Sequence, residues 1–504
     1  MDETLARAQC GLNTAAAGQK NIHSRYNPLI EAERYIASLN LRGDFEYIIL
    51  AECGLCYVIE PLRKKFPAAK IVSLHLSAFY AGKSAAQPDA EWTPDSAASL
   101  NLFLESEIDD IEADKIKIIE WRPSAGAYGG EYLNLIKDIT AFVKRIDASK
   151  RTRKVFGRRW FRNVIKNCFL FNDCVNFAET TRSGADCIIA GAGPALEDAY
   201  GAIRRLTKNG AVLIAVSSAV NALLQAGFRP DIIIACDGGG WAPLHLFESL
   251  RFFRGKKEPY PVLAFSLSAA IPSQCAAFNL LPISDESLFQ NIACQRLDIP
   301  RLSFPQRGTV SASAVDLALH ISGGAIYTAG INFSHKDIRS HAKPYAFDAL
   351  LADAASRFSP LYTLQFERSG AIIKSGANSI YANWFSGQNY PRKIYPITDS
   401  DRAFDKKARN IAADKLGLSG NFNPSSRLAF SKQKRVYSRT VTRFIAALIA
   451  ALESPSAPPA AKEKLTLELS NMLLDGGDAP RNCDLREELL RVSEKYRTIE
   501  ARHG

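Results

Sequence analysis

The sequence predicts an α/β protein: two Rossmann-like parallel-sheet domains followed by a helical C-terminal domain. Three observations carry this. Short apolar runs alternate with amphipathic stretches in β-α-β order, which is the rhythm of a parallel sheet covered by helices. The rhythm occurs twice, separated by a basic, aromatic stretch. Strand signals then vanish beyond residue 401.

In the first domain (1–148), Leu29, Ala32, Tyr35, Ile36 and Leu39 recur at helical spacing. Tyr47–Ala51 reads as a buried strand, followed by a helix to about Lys65 and a strand at Lys70–Leu76. A strand at Ile116–Trp121 and a helix at Glu131–Ile146 complete it. The turn Glu52-Cys-Gly54-Leu-Cys-Tyr57 stands where a nucleotide loop would stand, but it holds one glycine, and the next strand ends near His75 rather than an acid. This domain reads as a scaffold with no evident active site.

A basic connector, partly helical, spans 149–184. The second domain (185–400) begins with a strand at Asp186–Ala190 and continues with helix Leu196–Lys208, strand Ala211–Val216 and helix Val220–Ala226. Strands follow at Asp231–Cys236, Tyr260–Phe265 and Ala325–Ala329, with a helix at Ser311–Ile321. In the third domain (401–504), helical stretches at 404–415, 438–453, 460–475 and 484–501 are broken by Ser454–Pro459 and by Gly476-Gly477.

Composition narrows the class. The 504 residues suit two to four domains, and 47% apolar residues supply ample cores. The net charge of +11 is gathered partly in Lys150–Arg153 with Lys154, Arg158 and Arg159, and in Lys432–Arg435 with Arg439 and Arg443. No zinc finger or aromatic RNA-binding strand accompanies these runs, so they read as a solvated basic face and nucleic acid is not an expected partner. Ten cysteines, several inside apolar strands, behave as reduced buried thiols, and Cys53-Gly-Leu-Cys56 lacks the second pair a zinc site needs. The N-terminus lacks a basic-then-apolar stretch, and Phe444–Leu452 is too short to span a bilayer. The expectation is a cytoplasmic protein with no membrane span.

The chemistry concentrates past strand ends in the second domain. Gly191-Ala-Gly193-Pro194-Ala195 turns from strand into helix, where glycines permit close backbone approach and a helix N-terminus favours phosphate. Glu197 and Asp198 would repel an anion unless they point away. A nicotinamide site is disfavoured: Leu196 replaces the third glycine, and the next strand ends at Ser217-Ser218 rather than an acid. Asp237, before Gly238-Gly-Gly240, suits a ribose hydroxyl, a sugar, a metal or a plain Asp-Gly turn. Gly308-Thr309-Val-Ser311 opens a small-residue helix with Ser311 as the expected N-cap, a second helix N-terminus open to an anion. Beyond the last strand, Asn332, His335 and His341 lie among polar residues, either imidazole being a candidate general base.

Four of these segments in order, Ile188–Leu196, Pro230-Asp231…Asp237, Gly308–Val315 and Gly330–Phe333 with His341-Ala342, resemble the core of the motility-associated factor family of flagellin glycosyltransferases. That family shares its core with 6-hydroxymethylpterin diphosphokinase-like proteins, and the likeness covers roughly 185–385. The same core resembles bacterial sialyltransferases that use CMP-sugars, from which this chain departs at Ala195, usually Ser, and Asn332, usually Asp. The resemblance implies transfer of a sialic-acid-like nonulosonic sugar from a CMP donor to Ser or Thr of flagellin, with no resident cofactor. Gly191, Gly193, Pro194, Ala195, Gly308, Thr309 and Ser311 would hold the nucleotide phosphate. Ser217, Ser218 and Asp237 would hold hydroxyls, and His341, or else His335, would take the acceptor proton, with Asn332 beside them. Two alternatives stand: an ATP-dependent pyrophosphokinase using magnesium held by Asp237, and a flagellin-binding factor without activity.

Overall fold

The computed structural model describes residues 2–503 except 109–112, 169, 171–172, 176–183, 256–259, 305–307, 376–380, 383–384, 386–389, 391–393, 399–431, 435–440 and 475–481. The chain divides into two compact units, Met1–Val155 and Phe156–Gly504. In the first, β1 (Glu3–Arg7), β2 (Asn13–Ala17) and β3 (Lys20–Asn21) form an antiparallel sheet. Then β4 (Tyr47–Ala51), β5 (Lys70–Leu74), β6 (Ala90–Trp92) and β7 (Ile116–Glu120) form a parallel sheet in the order β6-β5-β4-β7. Every residue of β4 is buried, as expected of a central strand covered on both faces.

The second unit is built on a ten-stranded sheet. Its strands are β8 (Asp173–Val175), β9 (Cys187–Ala190), β10 (Val212–Val216), β11 (Ile232–Ala235), β12 (Val262–Ser266), β13 (Asn279–Ser284), β14 (Leu302–Ser303), β15 (Ile326–Ala329), β16 (Ile394–Pro396) and β17 (Lys432–Lys434). The order runs β16-β15-β9-β10-β11-β12-β13-β8-β17, with β14 also on β13, and only β17 pairs antiparallel. The chain winds outward from β9 through β13 and then returns to lay β15 on the other side of β9. That reversal makes the carboxyl ends of β9 and β15 the switch point of the sheet, where open α/β sheets characteristically open a crevice for ligands.

Two boundaries differ from expectation. One helix, Gly130–Cys168, runs unbroken through the expected division at 148, and the change of unit falls within it. Its last turns belong to the second unit by necessity. The Asn163 amide donates to the carbonyls of Gly238 and Ser268, and the Asn167 amide donates to those of Leu267 and Ala269. The C-terminal helices Val441–Glu453, Pro459–Leu473 and Asn482–His503 appear as expected but form no unit of their own. Phe444, Leu448 and Leu469 are buried in one core with the central strands, and Phe161 contacts both Phe289 and Phe444. The expected helix at 404–415 lies outside the described residues. The eight cysteines described as free include six that are buried, as the sequence suggested. No helix among the described residues is long and apolar enough to cross a membrane.

The first unit holds an unexpected buried polar cluster past the ends of β4 and β5. Glu52, Ser73 and His75 are fully buried. The Glu52 carboxylate accepts from the backbone N–H groups of Gly54 and Leu76 and lies 3.5 Å from His75 Nδ1. His75 Nε2 lies 3.1 Å from Ser73 Oγ and 3.2 Å from Glu91, and Ser73 Oγ lies 3.2 Å from Cys56 Sγ. Burial alone would lower the His75 pKa, but hydrogen bonds to Cys56, Glu52 and Glu91 outweigh it and raise it well above the usual value. His23 has no such acidic partner: it accepts from the Leu55 N–H, and burial holds its pKa at about 3.

The two imidazoles act on stability in opposite directions. The raised His75 pKa stabilises the fold fully below the unfolded value of about 6.5, and this is lost as pH rises through the folded value. His23 withholds its proton, so stability falls as pH drops from about 6.5 toward 3. The contributions of these two imidazoles together are greatest near pH ~6.5 and fall on both sides. Hydrogen exchange across this unit should show both limbs in the natural chain, with the alkaline limb flattened in His75→Gln. An unchanged alkaline limb in that variant would mean His75 is neutral in the fold.

Candidate functional site

The turn after β9 and the loop after β15 meet backbone to backbone. The Gly191 N–H donates to Ala329 O at 2.7 Å, and the Gly193 N–H donates to Gly330 O at 2.8 Å. A Cβ on Gly193 would lie 2.0 Å from Asn332 Oδ1 and 2.7 Å from Gly330 O. Gly330 has φ +70°, and its own Cβ would lie 2.5 Å from Gly191 O. The close approach anticipated for these glycines is real, but its partner is the opposing loop. The expectation of free glycine N–H groups facing a phosphate is corrected: those of Gly191 and Gly193 are spent on β15 and its loop.

Pro194 and Ala195 are buried in a short 3₁₀ turn, Pro194–Ala199. The acids of this turn are paired with the loop after β15. Glu197 binds Arg339 Nη1 at 3.1 Å and accepts from the Lys343 N–H at 2.9 Å, while Asp198 binds Lys336 at 3.1 Å. The loop after β15 is thereby tied to the turn after β9 along its length. A further bond, from the Ala342 N–H to Ala192 O at 2.8 Å, sets His341 beside the turn.

His341 stacks on Tyr345 with ring centroids 4.0 Å apart, and its Nδ1 lies 2.8 Å from Ser340 Oγ. Burial, then the Arg368 guanidinium and His245, hold its pKa at about 3, so the ring is neutral at physiological pH. His245, at the start of helix Leu244–Phe253, packs on Tyr345 and Phe347, and burial holds it at about 4. Tyr345 is itself pushed up to about 12 by burial. His335 is half-buried, and its Nε2 has no protein partner. Asn332 donates to Ser334 Oγ at 2.6 Å, and its buried Oδ1 has no hydrogen-bond partner.

The remaining expected residues line strand ends of the same sheet. Ser217 and Ser218 follow β10, with Ser217 buried in a one-turn 3₁₀ helix. Asp237 follows β11, is exposed, and closes the Asp-Gly turn by accepting from the Gly239 N–H at 2.7 Å. Its charge is also felt by His245, Tyr345 and Tyr381. At the second helix start, the cap is Thr309, whose Oγ1 accepts from the Ala312 N–H at 3.1 Å. Ser311 lies one residue inside the helix, so the expected Ser311 cap is corrected. Gly308 sits next to the Tyr381 ring. His245, Tyr345 and Arg368 were not singled out from the sequence. Tyr345 follows His341 by four residues in a non-helical loop, and Arg368 sits in a helix with no motif around it.

Residues 159–337 match the family model described as 6-hydroxymethylpterin diphosphokinase MptE-like. This span holds Ile188–Leu196, Pro230…Asp237, Gly308–Val315 and Gly330–Phe333, but ends short of His341-Ala342. An uncharacterized protein of Treponema pallidum (strain Nichols) is 29% identical over 299 residues, or 58% of this chain and 61% of that protein. The match thus spans about three fifths of that relative. Among solved structures, the Maf glycosyltransferase from Magnetospirillum magneticum AMB-1 is similar with 12% identity and a TM-score of 0.48, covering 98% of this chain and 86% of that one.

The interlocked loops predict a specific sensitivity. Gly193→Ala should destabilise the second unit by about 1–3 kcal/mol, since backbone and Asn332 must both shift. Adding Asn332→Gly should recover part of that loss, because one of the two clashing groups is gone. Chemical denaturation of the single and double variants measures the coupling; strictly additive losses would show that the two positions do not touch.

Proposed function

We propose that the second unit is a glycosyltransferase that takes a nonulosonic sugar from a CMP donor and attaches it to Ser or Thr hydroxyls of flagellin. One observation carries the reading: the Ala342–Ala192 hydrogen bond holds the candidate base, His341, beside the glycine turn at the sheet's switch point. A donor bound across that crevice meets a neutral imidazole at its edge. The MptE-like match over the same motifs supports a site for a phosphate-bearing substrate.

In this reading the donor's phosphate lies toward the Thr309-capped helix start, whose N-terminal dipole favours an anion. Ser217, Ser218 and Asp237 face nucleotide or sugar hydroxyls from the neighbouring strand ends. His341 accepts the proton of the attacking hydroxyl, with His335 as the second candidate. The glycosidic bond to the phosphate breaks as the bond to the acceptor oxygen forms, and CMP leaves with the charge. Fixed donors around that charge lower the barrier.

Calorimetry with CMP, CTP and ATP, with and without magnesium, tests the donor class. Selective cytidine-nucleotide binding without metal is the expected result; magnesium-dependent ATP binding would instead mark a diphosphokinase. His341→Ala should cut transfer to flagellin by about 10²–10⁴-fold while leaving the CMP affinity nearly unchanged. Flagellin that keeps its full glycan mass in cells carrying only that variant would remove His341 from the mechanism.

A further inference from the structure

Around the crevice, the basic side chains of the loop after β15 are matched by acids. Lys336 pairs with Asp198, Arg339 with Glu197, and Lys343 with Asp348 at 2.5 Å. Asp348 is engaged further by the Tyr345 N–H at 2.8 Å. Arg368 differs. It stands on helix Leu361–Ser375, half-buried, and forms no ion pair with a carboxylate among the described residues. Its guanidinium lies 4.9 Å over the Tyr345 ring and 5.1 Å over the Phe347 ring. With His341, Lys343, Tyr345, Asp348 and Ser369 it lines an open cleft, in which the Asp348 carboxylate is already taken by Lys343.

A partly desolvated guanidinium held on two aromatic faces keeps its fork in a fixed plane, which suits two-point recognition of a planar or tetrahedral oxyanion. We propose that Arg368 is the seat of an oxyanion subsite that takes a carboxylate or phosphate group of the donor. The assignment rests on the transferase reading for the donor's identity, but not for the subsite itself. Occupancy would also act on the base. Arg368, His245 and His335 disfavour the His341 cation, and Asp348 favours it. An anion on Arg368 offsets the largest of these charges and moves His341 toward the neutral range, where it accepts a proton more effectively.

Two measurements decide the matter. In the full chain with isotope-labelled histidines, inorganic pyrophosphate should shift the His341 resonance and raise its titration midpoint, and Arg368→Met should abolish that response. Arg368→Lys, which keeps the charge and stem but loses the fork, should retain only part of it and serves if the Met variant folds poorly. No response in the natural chain, or an equal response in both variants, overturns the subsite. The second measurement compares CMP with CMP-N-acetylneuraminate. Roughly tenfold weaker binding of both in Arg368→Met identifies the phosphate as the group held, whereas weakening of the sugar nucleotide alone identifies the carboxylate. Failure of either ligand to bind the natural chain would end the transferase reading while the pyrophosphate experiment still decides the subsite.

Discussion

The second unit depends on a contact between two pieces of backbone. The turn leaving β9 and the loop leaving β15 exchange N–H···O bonds at distances no side chain would permit, and glycine at 191, 193 and 330 is the condition for it. Each such bond contributes only about 1 kcal/mol net. Their importance is positional. They fix where the switch-point crevice opens, bring Ala342 onto Ala192, and so decide where the imidazole of His341 stands. A longer side chain at any of these glycines would displace the candidate base along with the loop.

Much of this was legible in the sequence for a physical reason. The central strands β4, β9, β10, β11 and β12 are buried on both faces and read as continuous apolar runs. The short peripheral strands β6, β8, β14, β16 and β17 are two or three residues long and carry no such run. The helix Gly130–Cys168 was split in the reading because its middle is a block of basic residues with no apolar stripe. At the site, the strand-end positions of Gly191, Ser217, Asp237 and Asn332 followed from strand endings, which local pattern reveals. What the glycines contact did not follow, since Gly-x-Gly-Pro serves a phosphate and an opposing backbone equally well. Thr309 and Ser311 were both eligible caps, and only backbone geometry separates them. Arg368 left no trace because its role comes from Tyr345 and Phe347, some twenty residues away in sequence.

Histidine shows how far environment overrides residue type here. His75 is held toward the cation because hydrogen bonds to Cys56, Glu52 and Glu91 outweigh its burial. His245 and His341 are held neutral because burial and a guanidinium act together. The same imidazole is therefore favoured as a cation in one unit and as a neutral ring in the other. The difference lies in which charged neighbours survive desolvation.

The crevice walls are also fastened by unlike means. On the side of β11 and β12, the amides of Asn163 and Asn167 grip four main-chain carbonyls, a neutral clamp indifferent to dissolved ions. On the side of β15, the backbone bonds of the loop are supplemented by the ion pairs Lys336–Asp198 and Arg339–Glu197, with about half and about a quarter of their side-chain surface in solvent. At ionic strengths where the Debye length shrinks to about 3 Å, the second fastening weakens while the first does not. Salt would thus act as a one-sided lever on this protein, loosening the wall that carries the imidazoles and leaving the opposite wall in place.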